Sequence, residues 1–469
     1  MKASAQGTPS RLAQIVGSPH AIADPMELSL YSIGAQLPAT VVRPGSSAEV
    51  AETVKFAASE RLAIVPMAAR TKLSMGMPPT RYDLALDLSR LDRVVLYDPD
   101  DLTLGVEPGI PLTRLASVLA EHRQSLPLTV PWMNRATVGG TIASGVDSPL
   151  RQYYGTARDY LLGIEFVTGD GQLAKSGGRV VKNVSGYDIH KLLIGSLGTL
   201  GVITRINFRT FPVRDSTRVF VATAESAADA IGLCNRVAQS ALRPLTLDIV
   251  GPLAGVFFSR DATAQTERGT SVESLSSARW ALVVSFAGQE KVLDRYQRDL
   301  RQLAQLTASG KSAAVGDIVI DGKDAAEVLG RVREFVAISL EWSEAATILK
   351  LSLLPGRMTR LVGDAERALR ESELPWAAML RGAGVIYLAL LPKELGETVR
   401  DRVVQATERI LALCAALGGT ASVPWCPQEW KSSLKVWGES SRDIEHVRRL
   451  KNVFDPPGIL APGRFAGGI

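Results

Sequence analysis

The sequence has little of what holds metals: three cysteines and four histidines in 469 residues. Cys234, Cys414 and Cys426 match neither a Cys-x-x-Cys zinc spacing nor an iron–sulfur run, so no metal or cluster is expected in this chain. Scattered thiols of this kind read as small core hydrophobes in a reducing compartment, which makes the cytoplasm the expected location. His20, His122, His190 and His446 contain no pair at the short spacing of a helical or strand metal site. Long apolar runs are also missing. None approaches the roughly 20 residues that span a bilayer, and the opening MKASAQGTPSRLAQIVG lacks the continuous hydrophobic region of a secretory signal. The formal net charge of +5 is spread without a contiguous basic stripe, so nucleic acid is not an expected partner. A Rossmann Gly-x-Gly-x-x-Gly is absent.

What is present suits a large core. Apolar residues make up 46% of the chain, too many for a disordered protein, and the length implies roughly two to four domains. Residues 1–36 are polar and read as an irregular lead-in. Thr40–Val42 is β-branched and extended. Ser46 and Glu49 fit a capping box, with Val50, Val54, Ala57 and Ala58 at helical spacing behind them. Residues 62–65 read as a strand ended by Pro66, which completes a β-α-β unit. Residues 84–88, 93–97 and 102–106 read as short strands, and 112–122 as a short amphipathic helix. Strands at 160–168 and 172–176 flank Gly169-Asp170-Gly171, a hairpin signal. Beyond about residue 215, strands at 218–224, 280–286, 347–353 and 384–391 alternate with helices at 227–240, 290–306, 358–371 and 395–417. This rhythm predicts an antiparallel sheet covered on one side. Residues 262–277 read as a polar loop. Residues 453–469, rich in Pro and Gly, are expected to pack extended on a domain.

Three segments have the composition of ligand sites. The loop at 65–77, VPMAARTKLSMGM, offers backbone N–H groups for a diphosphate, with Thr71 and Lys72 as side-chain donors. An ordinary connecting loop would look the same. The segment ATVGGTIASG at 136–145 has Gly139-Gly140, where a backbone can approach a ligand closely, and Thr137, Thr141 and Ser144 as donors. Its other reading is a helix start with a glycine turn. In VKNVSGYDIHKLLIGSLGTLGVI at 181–203, Gly186, Gly195, Gly198 and Gly201 interrupt an apolar run. Either a ligand or a tight helix–strand joint accounts for them.

Taken in order, ATVGGTIAS, Tyr154-Gly155, GRVVKNV at 178–184, Gly186-Tyr187-Asp188, GSLGTLGVI and the tail LKNVFDPPGILAPGRFAGGI resemble one family. It is the FAD-binding domain of the vanillyl-alcohol oxidase and p-cresol methylhydroxylase (PCMH) superfamily. The closer resemblance is to the glycolate oxidase FAD-binding subunit, related to D-lactate dehydrogenase flavoproteins. It covers residues 35–215 and the tail well, and the middle loosely. The resemblance implies an α+β fold: a PCMH-type FAD-binding domain of two α+β subdomains, at 37–215, then an α+β cap domain with an antiparallel sheet, at 216–430. A C-terminal segment at 431–469 would pack back on the FAD domain. The implied cofactor is non-covalent FAD. Its binding residues would be Pro66, Met67, Ala68, Ala69, Arg70, Thr71 and Lys72 at the diphosphate. Thr137, Gly139, Gly140, Thr141 and Ser144 would meet phosphate or ring, and Gly201, Val202 and Ile203 the flavin or its ribityl chain.

Two departures stand out. Relatives usually carry three glycines where this chain has Ala68-Ala69-Arg70. Alanine keeps the N–H but disfavours positive φ, and Arg70 either adds charge to the diphosphate or obstructs the loop. The histidine cluster of metal-dependent relatives is also missing, and His446 stands alone. Lys350, on a strand resembling the one that presents a cation to the active site, is the candidate partner of a substrate carboxylate; the other reading is a snorkelling lysine. The leading expectation is an FAD-binding subunit of a glycolate oxidase-like complex that oxidises a 2-hydroxy acid. An iron–sulfur subunit and a second flavoprotein subunit are its implied partners, with membrane association only through them. A self-sufficient FAD oxidase, and a structural subunit with weakened FAD binding, remain the alternatives.

Overall fold

A computed structural model describes residues 7–179, 186–214, 216–252, 279–305, 316–439 and 443–469. The polar loop expected at 262–277 and the motif residues 180–185 lie outside these.

From residue 7 the lead-in carries regular elements. Helix α1, Thr8–Val16, buries Leu12 and Val16, and strand β1, Ala21–Ile22, pairs antiparallel with β2, Thr40–Val42. Leu12 and Val16 are one helical turn apart, and burying each contributes about 1.5–3 kcal/mol; the polar residues between them hide that face. Helix α2, Ser47–Glu60, starts where Ser46 Oγ accepts from Glu49 N. Strand β3, Ile64–Met67, and β4, Leu84–Asp87, complete a four-stranded sheet in the order β1-β2-β4-β3, whose last three strands are parallel. Pro66 lies inside β3 instead of ending it. An edge strand tolerates a residue with no N–H to donate.

A second, antiparallel sheet follows. Its strands are β5, Val94–Asp98, and β6, Thr103–Val106. Next come helices α3, Leu112–Ala120, and α4, Val138–Ser144. The remaining strands are β7, Leu161–Val167, β8, Leu173–Gly177, and β9, Val202–Arg209. The order is β5-β6-β9-β7-β8, and the β7–β8 hairpin turns at Gly171, φ 83°.

The cap is an eight-stranded antiparallel sheet. Its elements in chain order begin with β10, Ser216–Ala224, α5, Ala227–Gln239, β11, Thr246–Gly251, β12, Trp280–Gly288, and α6, Glu290–Gln305. They continue through β13, Gly316–Asp321, α7, Gly322–Arg333, α8, Phe335–Trp342, β14, Thr347–Ser352, and α9, Met358–Glu371. The last are β15, Trp376–Arg381, β16, Val385–Leu390, α10, Glu397–Ala416, and β17, Thr420–Trp425. The strand order is β13-β10-β12-β11-β15-β16-β14-β17. Both faces are covered, not one. Helices α5, α6, α9 and α10 pack on the first face. Helices α7 and α8, with Trp132, Val146 and Leu197 of the N-terminal half, pack on the second.

The C-terminal segment begins with a helix, α11, Ile444–Phe454, before it runs extended. Ile64 N donates to Ile459 O and Ala461 N to Ile64 O, so the tail adds to the edge of β3. Asp455 carboxylate oxygens accept from Ile459 N and Leu460 N, and Lys451 Nζ lies 2.6 Å from Asp455. Among the described residues no helix is long and apolar enough to cross a membrane.

Candidate cofactor cleft

Strand β3 delivers the chain into a loop at residues 68–77. Of its first three residues only Arg70 has a positive φ, 60°. Ala68 and Ala69 therefore hold conformations open to any residue, and their methyl groups impose no backbone cost. Among the described residues, the backbone N–H groups of residues 68–72 donate to no acceptor in the protein. Buried or half-buried amides are nearly always paired. A run of five without acceptors is a cradle for an anion.

The side chains around this loop are arranged to keep it clear. The Arg70 guanidinium sits 4.4 Å from the Tyr31 ring centre and 3.9 Å from Asp87 Oδ2. Tyr31 Oη donates to Asp87 Oδ2 at 2.7 Å, and burial with that carboxylate pushes its pKa up. Arg70 is thus held by the Tyr31–Asp87 pair beside the loop. Lys72 lies 5.5 Å over the Trp132 ring and donates to Pro131 O and Thr71 Oγ1, each at 3.3 Å. Burial lowers its pKa to about 8, against the opposing pull of Glu334. Glu334, which follows α7, accepts from Trp132 N at 2.6 Å and so ties the cap to this wall.

Helix α4 forms the facing wall. Its N-terminal amides are used within the protein: Val138 N donates to Ile110 O, Gly139 N to Pro108 O, and Gly140 N to Thr137 Oγ1. The hydroxyls of Thr141 and Ser144 donate to helix carbonyls, Thr137 O and Thr141 O. The two glycines serve different ends. A Cβ on Gly139 would come within 2.4 Å of Pro108 Cβ, whereas one on exposed Gly140 would meet only Thr137 Oγ1, at 3.1 Å. Close packing fixes Gly139; Gly140 leaves open space on the cleft side.

These walls line an open cleft. It gathers Pro66, Met67, Ala68, Ala69, Arg70, Thr71 and Lys72 from the loop, Thr137, Gly139, Gly140 and Ser144 from α4, and Gly201 and Ile203 before and within β9. Thr141 and Val202 do not line it; both are buried in the packing behind. Gly198 and Gly201 are set by protein contacts, since a Cβ would reach Pro66 Cγ at 2.5 Å and Phe166 Cδ2 at 2.8 Å. Gly198, one of the glycines singled out from sequence, lines the cleft too, and so do Pro108, Leu197 and Arg464, which were not. The signal for Arg464 was available: it lies inside the tail motif.

Lys350 does not reach this cleft. It lies on β14 opposite Tyr387 of β16, on the sheet face turned to the N-terminal half. Tyr387 is buried, and Arg381, the last residue of β15, lies with Nε 2.6 Å from Asp147 Oδ2 as an ion pair and donates from Nη1 to Asp248 Oδ1 at 2.8 Å. Burial raises the Asp248 pKa to about 6, with Arg381 opposing the shift. His446 is exposed on α11, and among the described residues no group of three or more metal-ligating side chains occurs.

An FAD-binding domain model matches residues 38–177, and a model of the C-terminal domain of FAD-linked oxidases matches residues 214–423 and 435–465. The chain is 24% identical over 433 residues to glycolate oxidase subunit GlcD of Bacillus subtilis, covering 92% of this chain and 89% of that one. It is 32% identical over 253 residues to glycolate oxidase subunit GlcE of Escherichia coli, covering 54% and 67%. Its fold matches that of p-cresol methylhydroxylase with a TM-score of 0.76 at 17% identity, over 98% of this chain and 96% of that one. The residues fit the cofactor these matches imply: the free amides at 68–72 suit a diphosphate, and open space at Gly140 admits a ligand edge. The chain therefore belongs to the FAD-linked oxidases, with a PCMH-type FAD-binding fold and FAD as its cofactor.

Proposed function

We propose that this chain is the FAD-binding subunit of a complex that oxidises a small 2-hydroxy acid. The observation that carries the cofactor half of this reading is the run of unpaired amides at residues 68–72 facing the cleft. Similarity to two glycolate oxidase subunits supports the substrate class. When bound, FAD accepts a hydride equivalent and can release electrons singly. The amide run holds the diphosphate, Arg70 stays on Asp87, and Gly140 leaves room for the ligand. Binding is non-covalent in this reading.

Electrons leaving the flavin need an acceptor outside the chain. Cys234, Cys414 and Cys426 have no cluster spacing, and burial pushes all three thiols up. The reading therefore includes an iron–sulfur subunit, and a second flavoprotein subunit, in a cytoplasmic complex that meets a membrane only through its partners. Lys350, beside Tyr387, is the proposed partner of the substrate carboxylate.

A second division of labour has its own support. Lys350, the carboxylate candidate, lines no part of the cofactor cleft. This favours substrate oxidation on the second flavoprotein subunit, with the present chain holding a flavin. Purified chain, mixed with FAD and desalted, should show flavin absorption bands; a spectrum without them sinks the reading. Turnover of a 2-hydroxy acid with a dye by the isolated chain would favour a self-sufficient oxidase. Purification from the native host should bring an iron-containing partner with a defined flavin count.

A further inference from the structure

The loop that carries the free amides is held from behind by two buried cations. Its next four carbonyls, those of Leu73, Ser74, Met75 and Gly76, all accept from them. Arg464 Nη2 donates to Leu73 O and Met75 O, each at 2.6 Å. Lys431 Nζ donates to Gly76 O at 2.5 Å and also to Ser74 O. Met77 N donates back to Arg464 O at 3.0 Å. A Cβ on Gly76 would lie 2.6 Å from that carbonyl, so tail and loop fit in one register.

The two cations differ in one respect. Lys431 lines no part of the cleft, whereas Arg464 does. Arg464 is 3% exposed and its Nη1 has no hydrogen-bond partner. Among the described residues no carboxylate lies within ion-pair distance of it. Burial lowers the Arg464 pKa, with only the Tyr82 hydroxyl opposing. An unpaired buried guanidinium is costly unless an anionic or strongly polar acceptor completes it.

We propose that Arg464 is a cofactor-binding residue: its Nη1 donates to bound FAD while its Nη2 fixes the loop that presents the amides. This rests on the FAD reading above. Two parts of FAD have acceptors of the required kind, the diphosphate and the N1–C2=O edge of the ring system, and a guanidinium can bond either.

The test is titration of flavin-free protein, followed by flavin fluorescence and calorimetry, for wild type, Arg464→Met, Arg464→Lys and Lys431→Met. Arg464→Met should weaken FAD binding about 10- to 100-fold, the range for loss of a charge-assisted hydrogen bond. Arg464→Lys should recover part of that. Lys431→Met loosens the same loop without removing a free donor, and should weaken binding less than Arg464→Met does. Equal losses in the two Met variants would mean that Arg464 acts only through the loop, and would overturn the proposal, as would unchanged affinity in Arg464→Met. Titrations with ADP and with riboflavin then locate the contact: loss for ADP assigns it to the diphosphate, and loss for riboflavin to the ring edge. If Arg464→Met does not fold, by circular dichroism, Arg464→Lys carries the test, and wild-type affinity in it would overturn the proposal. Wild-type protein that binds no FAD would refute the cofactor reading itself, a separate outcome.

Discussion

Arg70 occupies a left-handed backbone conformation, which costs a non-glycine residue about 1–2 kcal/mol, and its side chain leans on Tyr31 and Asp87. The arginine is thus a local anchor beside the cradle. Arg70→Gly should change FAD affinity less than about threefold, because it removes that strain along with the anchor. A tenfold loss on titration would show that Arg70 reaches the cofactor instead. Lys72 makes a pH-dependent contribution. Its pKa of about 8 lies below the ordinary 10.5, so the folded protein binds fewer protons than the unfolded chain between those values. Stability from this group therefore rises with pH across that window. Affinity moves the other way, since the charged amine that favours a diphosphate is lost above about pH 8. FAD binding measured over about one and a half pH units either side of that midpoint should weaken with rising pH, and Lys72→Met should flatten the curve. The sequence made Thr71 and Lys72 legible as donors, because residue type alone indicates that capacity. It could not show that the Thr141 and Ser144 hydroxyls turn back onto their own helix, or that Ala68 and Ala69 avoid positive φ. Those depend on conformation.

At the scale of elements, the two adjacent glycines of α4 make a paired prediction. Gly139→Ala drives a methyl into Pro108 and should lower the melting temperature by several degrees, in line with an overpacking cost of about 1–3 kcal/mol. Gly140→Ala meets only the Thr137 hydroxyl, at 3.1 Å, and should cost less thermal stability than Gly139→Ala while weakening FAD. Calorimetry of the flavin-free variants beside FAD titration separates the two; matching effects would refute the distinction. Helices with caps and strong periodicity were legible from sequence, as α2 and α5 show, because their signals are local. Strands β11, β13, β15 and β17 of the eight-stranded sheet were not foreseen. The segment at 376–381, WAAMLR, has no alternation because both faces of the sheet are buried, and Pro424 interrupts β17. The glycines at 195, 198 and 201 showed correctly that the backbone comes close to something. For Gly198 and Gly201 the neighbour is the protein itself, Pro66 and Phe166.

The whole molecule is held across its two halves by charges that no local pattern reveals. Asp147 follows α4, Asp248 lies on β11 and Arg381 on β15, and all three are buried. Arg381→Met would strand Asp248 in the interior and leave Asp147 with Arg151 alone, and should cost about 3–5 kcal/mol in urea unfolding. Adding Asp147→Asn and Asp248→Asn should restore much of it; a cost under about 1 kcal/mol would show that the cluster is not a clamp. One practical consequence concerns recombination with relatives. A cap transplanted from a cousin onto this FAD domain would meet Asp147 with whatever that cap carries at the Arg381 and Asp248 positions. Exchange between family members should succeed only when the three positions travel as a set, so this small polar knot, more than the cleft itself, defines which halves are interchangeable.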